Sequence, residues 1–201
     1  MKILIFASPR SGSTALTVAL SRLLKLRKFL EPYNIRITQN MSAKEISNIK
    51  SKLTESCIVK VLAKQMTREF YSEYINFFDK VIYLTRDDTK ASAESVYSAV
   101  YRKDTHLGGP KWHTPYTFNY SDVTIDKWIV EYINTNVSEV KLVAKSNKKS
   151  YILYEELYSQ DVALFNKTVD SFDFHIDKVK LRELLHPSKK YRKKVKPKTI
   201  S

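Results

Sequence analysis

Residues 2–16 contain the feature that most constrains this chain, a short apolar run followed by a small polar turn. The apolar run over residues 3–7 predicts a buried strand, and residues 10–14 are Arg, Ser, Gly, Ser and Thr. Helix-forming residues begin at Ala15, so the segment predicts a strand, a tight loop and a helix start. The backbone N–H groups of such a loop converge at the positive end of the helix dipole, which suits a phosphate or sulfate group. Arg10 adds a guanidinium whose donors match a tetrahedral oxyanion.

Two simpler explanations of this loop have to be weighed. The first is an ordinary capped helix, in which Ser11 or Ser13 is the N-cap. The second is a nucleoside-triphosphate P-loop, whose pattern is G-x-x-x-x-G-K-[ST]. Here Ser13 stands where the lysine would follow Gly12, and no glycine occupies the upstream position. The loop therefore indicates an anion site that lacks the lysine for the β- and γ-phosphates of ATP.

Length and composition predict one soluble domain. A chain of 201 residues is long enough for a buried core, and no run of about 18 apolar residues indicates a membrane span. The chain enters its first strand without a charged and apolar leader, so no secretory signal is expected. The single cysteine, Cys57, is predicted to be a core thiol in a reducing, cytoplasmic compartment. We expect one domain over residues 1–187 and a basic tail over residues 188–201.

The net charge of +14 is unevenly distributed. Seven Lys and Arg residues between positions 189 and 198 account for half of it, with no acidic residue among them. Such a tail can contact nucleic acid or another polyanion, or it can be a solvated terminus. The charge that remains on the rest of the chain still favours an anionic ligand.

Strand and helix patterns alternate along most of the chain. Strands are predicted at residues 3–7, 57–63, 80–86 and 150–157, and helices at about 14–28, 42–53, 66–78, 87–102 and 124–144, with two short helices at the end. This alternation predicts an α/β fold in which helices cover both faces of a central parallel sheet. Residues 104–123 interrupt it with glycines, prolines and aromatic residues, which favours a lid or an acceptor-binding loop over a disordered crossover.

A second group of cations is expected where the strands end. Ligands of open α/β sheets bind at the carboxyl ends of the strands. Lys60 lies within the second strong strand and Arg86 ends the third, with Ser95 nine residues further on. Arg86 could pair with Asp87 or Asp88 at the surface, but a second phosphate explains its position better. Two separated anion sites indicate a ligand that carries phosphates at both ends.

These segments resemble known motifs. PRSGSTAL resembles the 5′-phosphosulfate loop of sulfotransferases that use 3′-phosphoadenosine 5′-phosphosulfate (PAPS). YLTRDDTKASAESVYSA resembles their 3′-phosphate motif, although many members have the serine one position earlier, where this chain has Glu94. Ser95 is closer to the branch related to bacterial trehalose sulfotransferase. That branch also resembles this chain in LEPY at 30–33, VKV at 59–61 and YEEL at 154–157.

The resemblance covers roughly residues 1–160 and carries specific implications. It implies a three-layer α/β sandwich with the P-loop-like fold of sulfotransferases, and sulfuryl transfer from PAPS to an acceptor hydroxyl on a carbohydrate or small molecule. Arg10 would neutralise charge on the bridging oxygen, and no metal would be needed. The residues implied to hold PAPS are Arg10, Ser11, Gly12, Ser13 and Thr14 at the 5′ end and Arg86 and Ser95 at the 3′-phosphate.

The general base is the least defined part of this scheme. Glu31 is the first choice because the trehalose-type branch resembles this chain in that segment, and the acceptor hydroxyl needs a base within hydrogen-bond reach. His106 and His113, in the aromatic loop, are the alternatives. Lys60 is expected to contact the phosphosulfate directly or to act as a charge behind it.

Two other functions remain open from the sequence. A P-loop kinase would need a lysine in the loop and a carboxylate for magnesium, whereas the third strand ends in Thr85 and Arg86. A nucleic-acid-binding module would explain the basic tail but not the anion loop. The oligomeric state cannot be inferred.

Overall fold

A parallel sheet forms the centre of the molecule. The computed structural model describes residues 1–31, 43–53, 55–65, 68–101, 127–147 and 151–186. Its strands are β1 (Lys2–Ala7), β2 (Arg27–Leu30), β3 (Cys57–Leu62), β4 (Lys80–Thr85) and β5 (Ile152–Leu153). The strand order is β2-β3-β1-β4-β5, and every neighbouring pair is parallel. The central strand β1 is apolar throughout its buried part because a parallel sheet is covered on both faces.

Helices cover both faces of this sheet. The described helices are α1 (Ser13–Leu23), α2 (Ala43–Lys52), α3 (Tyr71–Ile75), α4 (Thr89–Tyr101), α5 (Lys127–Ser146), α6 (Tyr154–Leu157), α7 (Val162–Asp170) and α8 (Lys178–Leu185). Leu4 and Phe6 of β1 face a core formed with α2, α3 and α5. Ile3 and Ile5, which alternate with them, face a core formed with α1, α6, α7 and α8. Helix α4 packs on α5 through a smaller apolar cluster.

The predicted fold class is confirmed: the protein is α/β, with five parallel strands flanked by helices in the described residues. The prediction of one helix over residues 14–28 is wrong in its last third. Helix α1 ends at Leu23, and residues 27–30 form the edge strand β2. Its sequence, RKFL, is mostly exposed and carries two charges, so it lacks the apolar pattern that identifies a covered strand.

Two further boundaries differ from the sequence prediction. The last strand is only Ile152–Leu153, and the YEEL residues form the single turn α6. The helix predicted over residues 66–78 is a 3₁₀ turn at Arg68–Phe70 followed by the short helix α3. Aromatic spacing gave the right buried face there but overestimated the regular length, because a few apolar residues can anchor a short helix against the core.

Several predictions fall on residues outside the described ranges. These are the aromatic loop at 104–123 with His106 and His113, and the basic tail after residue 187. Cys57 is buried, and burial raises the pKa of its thiol, as expected for a core cysteine. None of the helices in the described ranges is both long and apolar enough to cross a bilayer.

Candidate functional site

The loop after β1 presents backbone amides at the N-terminus of α1. Gly12 is the N-cap at φ 74°, and no side chain caps this helix end. The first helical hydrogen bond runs from the Leu16 N–H to the Gly12 carbonyl at 3.1 Å. The amides of Ser13 and Thr14 therefore precede the helical hydrogen-bond pattern and point out of the helix end, where an anion binds. The explanation of Ser11 or Ser13 as a conventional N-cap is wrong.

The two buried serines of the loop are held by hydrogen bonds within the protein. Ser11 is fully buried and donates from Oγ to the Ser8 carbonyl at 2.7 Å. Ser13 is also buried, and its carbonyl accepts a hydrogen bond from the Thr17 hydroxyl at 2.7 Å. These contacts fix the loop from beneath. The Ser11 hydroxyl donates its one proton to Ser8, so Ser11 can contribute its amide to an anion but not that proton.

Arg10 joins this loop to α4. Its Nε donates to Ser95 Oγ at 2.7 Å, across 85 positions of sequence. Its backbone lies in the left-handed region at φ 60°, which costs a non-glycine residue about 1 kcal/mol. Strain of this kind persists only where the surrounding structure imposes it, and it is concentrated at functional sites. The structure thus brings together two residues that the sequence assigned to opposite ends of the nucleotide.

Lys60, Glu31 and Thr14 form the second part of the site. Lys60 is only 5% exposed, and its Nζ donates to Thr14 Oγ1 at 2.9 Å and forms an ion pair with Glu31 Oε1. Gln65 holds the other carboxylate oxygen of Glu31 through Nε2, at 2.9 Å. Glu31 also has a left-handed backbone, at φ 48°, directly after β2. The carboxylate proposed as base and the buried lysine therefore lie against the anion loop.

The electrostatics of Lys60 favour an anion at this place. Burial lowers the pKa of Lys60 below its usual range, the Glu31 carboxylate opposes that shift, and the positive charge of Arg10 adds to it. Two cations thus repel each other across the loop, one of them with little solvent to screen it. A negatively charged ligand in contact with both cations would add to the attraction that Glu31 already supplies and would offset this repulsion.

Arg86 lies in a different setting, at the end of β4. Its guanidinium sits 4.6 Å from the ring centroid of Tyr154, and its Nε is 3.8 Å from Glu155 Oε1. That Nε is buried and has no hydrogen-bond partner. Asp87 pairs instead with Lys141 at 3.3 Å, so Arg86 is not held by the aspartate that follows it. Ser95, which the resemblance assigns to the 3′-phosphate together with Arg86, accepts a hydrogen bond from Arg10 through its hydroxyl.

Asp88 and Glu155 organise the chain that follows Arg86. Asp88 Oδ1 accepts a hydrogen bond from the Ala91 N–H at 2.8 Å, which caps the start of α4. Both oxygens of Glu155 lie 3.2 Å from backbone N–H groups, one on Asp87 and one on Asp88. These bonds tie the strand end to α6 and leave Arg86 against Tyr154.

Sequence reasoning missed Tyr158 and Gln65. The Tyr158 hydroxyl donates to the Gly12 carbonyl at 2.8 Å, and its ring stacks on that of Tyr154 with centroids 4.5 Å apart. A tyrosine pair at i and i+4 was the available signal, because this spacing places both rings on one side of a helical turn. Nothing in the sequence indicated Gln65.

Comparisons with known proteins complete the description of the site. No protein-family model matches the chain, and no curated protein does. Two solved structures of deoxyadenosine kinase from M. mycoides are weakly similar to the chain, one with bound dCTP and one with the products dCMP and dCDP. They are 16% and 18% identical to this chain, cover 85% of it and 97% of their own length, and have TM-scores of 0.40 and 0.41. Both structures are kinases, which is the class of the alternative function. A likeness this weak does not decide between a kinase and a sulfotransferase, so the residues of the site decide.

Proposed function

We propose that this protein is a sulfotransferase that moves a sulfuryl group from PAPS to an acceptor hydroxyl on a carbohydrate or small molecule. The observation that carries the proposal is the cluster around the first loop. A 5′-phosphosulfate would lie at the N-terminal amides of α1, which no side chain caps. Two cations are close to the same place, Arg10 and the buried Lys60. Arg86 would supply a second cation for a 3′-phosphate, with a buried Nε that makes no hydrogen bond within the protein and lies 3.8 Å from Glu155 Oε1.

The proposed chemistry needs little from the protein beyond position and charge. The acceptor oxygen forms a new bond to sulfur while the bond from sulfur to the bridging oxygen breaks, and adenosine 3′,5′-bisphosphate leaves. Arg10, Lys60 and the loop amides would stabilise the charge that develops on the leaving phosphate. Glu31 would take the acceptor proton, since its carboxylate is the acidic group held against the loop by Lys60 and Gln65.

A nucleotide kinase is the second candidate. The specific observation in its favour is the bond from Lys60 Nζ to Thr14 Oγ1, which brings a lysine to the loop from another strand. That lysine could partly replace the one missing after Gly12. Against it, Ser13 stands, within the described ranges, where the P-loop pattern has its own lysine after Gly12. The other alternative, nucleic-acid binding through the basic tail, falls on residues outside those ranges.

A transfer assay with two labelled donors tests the proposal. The protein is incubated with PAPS labelled in sulfur and a panel of sugars and phenols, and in parallel with ATP labelled in the γ-phosphate, magnesium, deoxyadenosine and the same panel. We expect labelled sulfate on at least one acceptor and no transfer from ATP. Transfer of phosphate from ATP without transfer from PAPS would establish the kinase instead.

A further inference from the structure

Tyr158 contacts the anion loop from the side opposite the ligand position. Its hydroxyl donates to the Gly12 carbonyl at 2.8 Å, 146 positions away in sequence. That carbonyl also accepts the Leu16 N–H at 3.1 Å, so both of its lone pairs are used. Burial raises the pKa of the Tyr158 hydroxyl well above its usual value, so the group stays protonated and remains a donor.

The peptide that Tyr158 contacts is the one that would bind the ligand. The Gly12 carbonyl and the Ser13 N–H belong to the same planar amide, whose resonance couples the two groups. A hydrogen bond to the carbonyl draws electron density from the nitrogen and strengthens the N–H as a donor. Ser13 is the first residue of α1, and its N–H precedes the helical hydrogen-bond pattern. The tyrosine hydroxyl therefore acts on an amide that faces the anion.

The ring of Tyr158 also fixes the shape of the loop. A Cβ on Gly12 would lie 2.6–2.8 Å from three atoms of the phenol, so the ring fills the space that a side chain would need. The same ring stacks on that of Tyr154, against which Arg86 lies. Tyr158 is thus in contact with the loop and, through one further ring, with the second candidate anion site.

We propose that Tyr158 is a positioning residue for the anion loop, which uses its hydroxyl to orient and polarise the Gly12–Ser13 peptide toward the 5′-phosphate of the nucleotide. The proposal rests on the proposed function in that it assumes a nucleotide with a 5′-phosphate in the loop. It makes no assumption about whether sulfuryl or phosphoryl transfer follows.

The test compares Tyr158→Phe with a matched variant, Tyr71→Phe. The first keeps the ring and loses one hydroxyl bond to a backbone carbonyl. The second loses a bond of the same kind, from Tyr71 to the Ala63 carbonyl, in the core on the other face of the sheet. Each protein is titrated calorimetrically with adenosine 3′,5′-bisphosphate, 5′-AMP and 3′-AMP.

We expect Tyr158→Phe to weaken binding of the two 5′-phosphorylated nucleotides by about 3- to 10-fold, and binding of 3′-AMP not at all. Tyr71→Phe should leave all three affinities unchanged, although both variants lose stability. An equal loss for all three nucleotides, or no loss, would overturn the role of Tyr158. A second readout needs no ligand: the amide ¹⁵N resonance of Ser13 should move upfield in Tyr158→Phe, and an unchanged resonance would contradict the polarisation.

Failure of the proposed function gives a different pattern. A wild-type protein that prefers ATP with magnesium to the bisphosphate would refute the sulfotransferase, while the Tyr158→Phe effect on 5′-phosphorylated ligands would persist. A wild-type protein that binds none of these nucleotides would refute both proposals.

Discussion

The loop at residues 10–14 and the region around Arg86 lie at the ends of neighbouring strands, yet they are built in different ways. In the loop, backbone amides form the surface for the anion, and buried hydroxyls, a tyrosine and strained residues support them. At Arg86, a single side chain supplies the charge, held between an aromatic ring and a carboxylate. This difference indicates that hydrogen bonds within the protein hold the loop at residues 10–14 rigid. The second site depends instead on one cation, Arg86, which already has an acidic neighbour in Glu155.

Removal of Arg10 should have the largest effect of any single change. Arg10→Ala deletes the charge at the loop and its bond to Ser95, and we expect turnover with PAPS to fall by about 100-fold or more. Steady-state kinetics with the acceptor found in the transfer assay measures this. Arg22→Ala is the matched control, because Arg22 is exposed in the last turn of α1. Equal losses in the two variants would show that overall charge, not the position of Arg10, matters.

A side chain at Gly12 should damage the rigid site directly. Gly12→Ala forces an L-residue into φ 74° and places its Cβ against the Tyr158 ring. We expect the free energy of unfolding to fall by about 2 kcal/mol in urea denaturation. The double variant Gly12→Ala/Tyr158→Ala provides the control for the collision with the ring. In the Tyr158→Ala background, Gly12→Ala should lower the free energy of unfolding only by the backbone strain. A loss as large as the one in the wild-type background would exclude a collision with the ring.

Arg86→Ala should change nucleotide preference rather than overall activity. Without the Arg86 guanidinium, the second site binds a 3′-phosphate less tightly. The ratio of affinities for adenosine 3′,5′-bisphosphate and 5′-AMP should therefore fall by about 10-fold. Competition binding measures this ratio. Lys141→Ala removes a nearby cation that pairs with Asp87 and serves as the control. A preference that survives Arg86→Ala would place the 3′-phosphate elsewhere.

The smallest expected effect concerns pH and Lys60. Burial lowers the pKa of Lys60 in the folded protein below the value of 10.5 that it has in the unfolded chain. At a pH between these two pKa values, Lys60 is protonated in the unfolded chain and deprotonated in the folded protein. Stability then rises with pH in this window, because the unfolded state binds more protons. Relative to Lys60→Met, the wild-type free energy of unfolding should increase toward pH 10.5. Lys64→Met, at an exposed neighbour, should follow the wild-type curve, and parallel curves for all three proteins would contradict a lowered pKa.

The sequence predicts the parts of this molecule that rest on local patterns. The covered strands β1, β3 and β4 are mostly apolar runs, interrupted in β3 by Lys60, and the loop after β1 is marked by its small residues and Arg10. The edge strand β2 could not be predicted, because an exposed strand with two charges is held by its pairing with β3 and not by its own composition. Local patterns do not contain such pairing information.

The same limit applies to the site. Lys60 and Arg86 could be found because a cation in or after a buried strand is unusual. Which groups they meet depends on the packing of distant segments. Ser95 hydrogen-bonds to Arg10 of the first loop, and Tyr158 hydrogen-bonds to Gly12, 146 positions earlier in the chain. The choice between His106, His113 and Glu31 as base stays a prediction, with the histidines outside the described ranges.

The most direct test of the central claim is a calorimetric titration of the full chain with adenosine 3′,5′-bisphosphate and, separately, with ATP and magnesium. A rigid amide loop for the 5′ end and Arg86 for a 3′-phosphate predict that the bisphosphate binds at least about 10-fold more tightly. Binding of ATP with magnesium that is equally tight or tighter would contradict the account and favour the kinase.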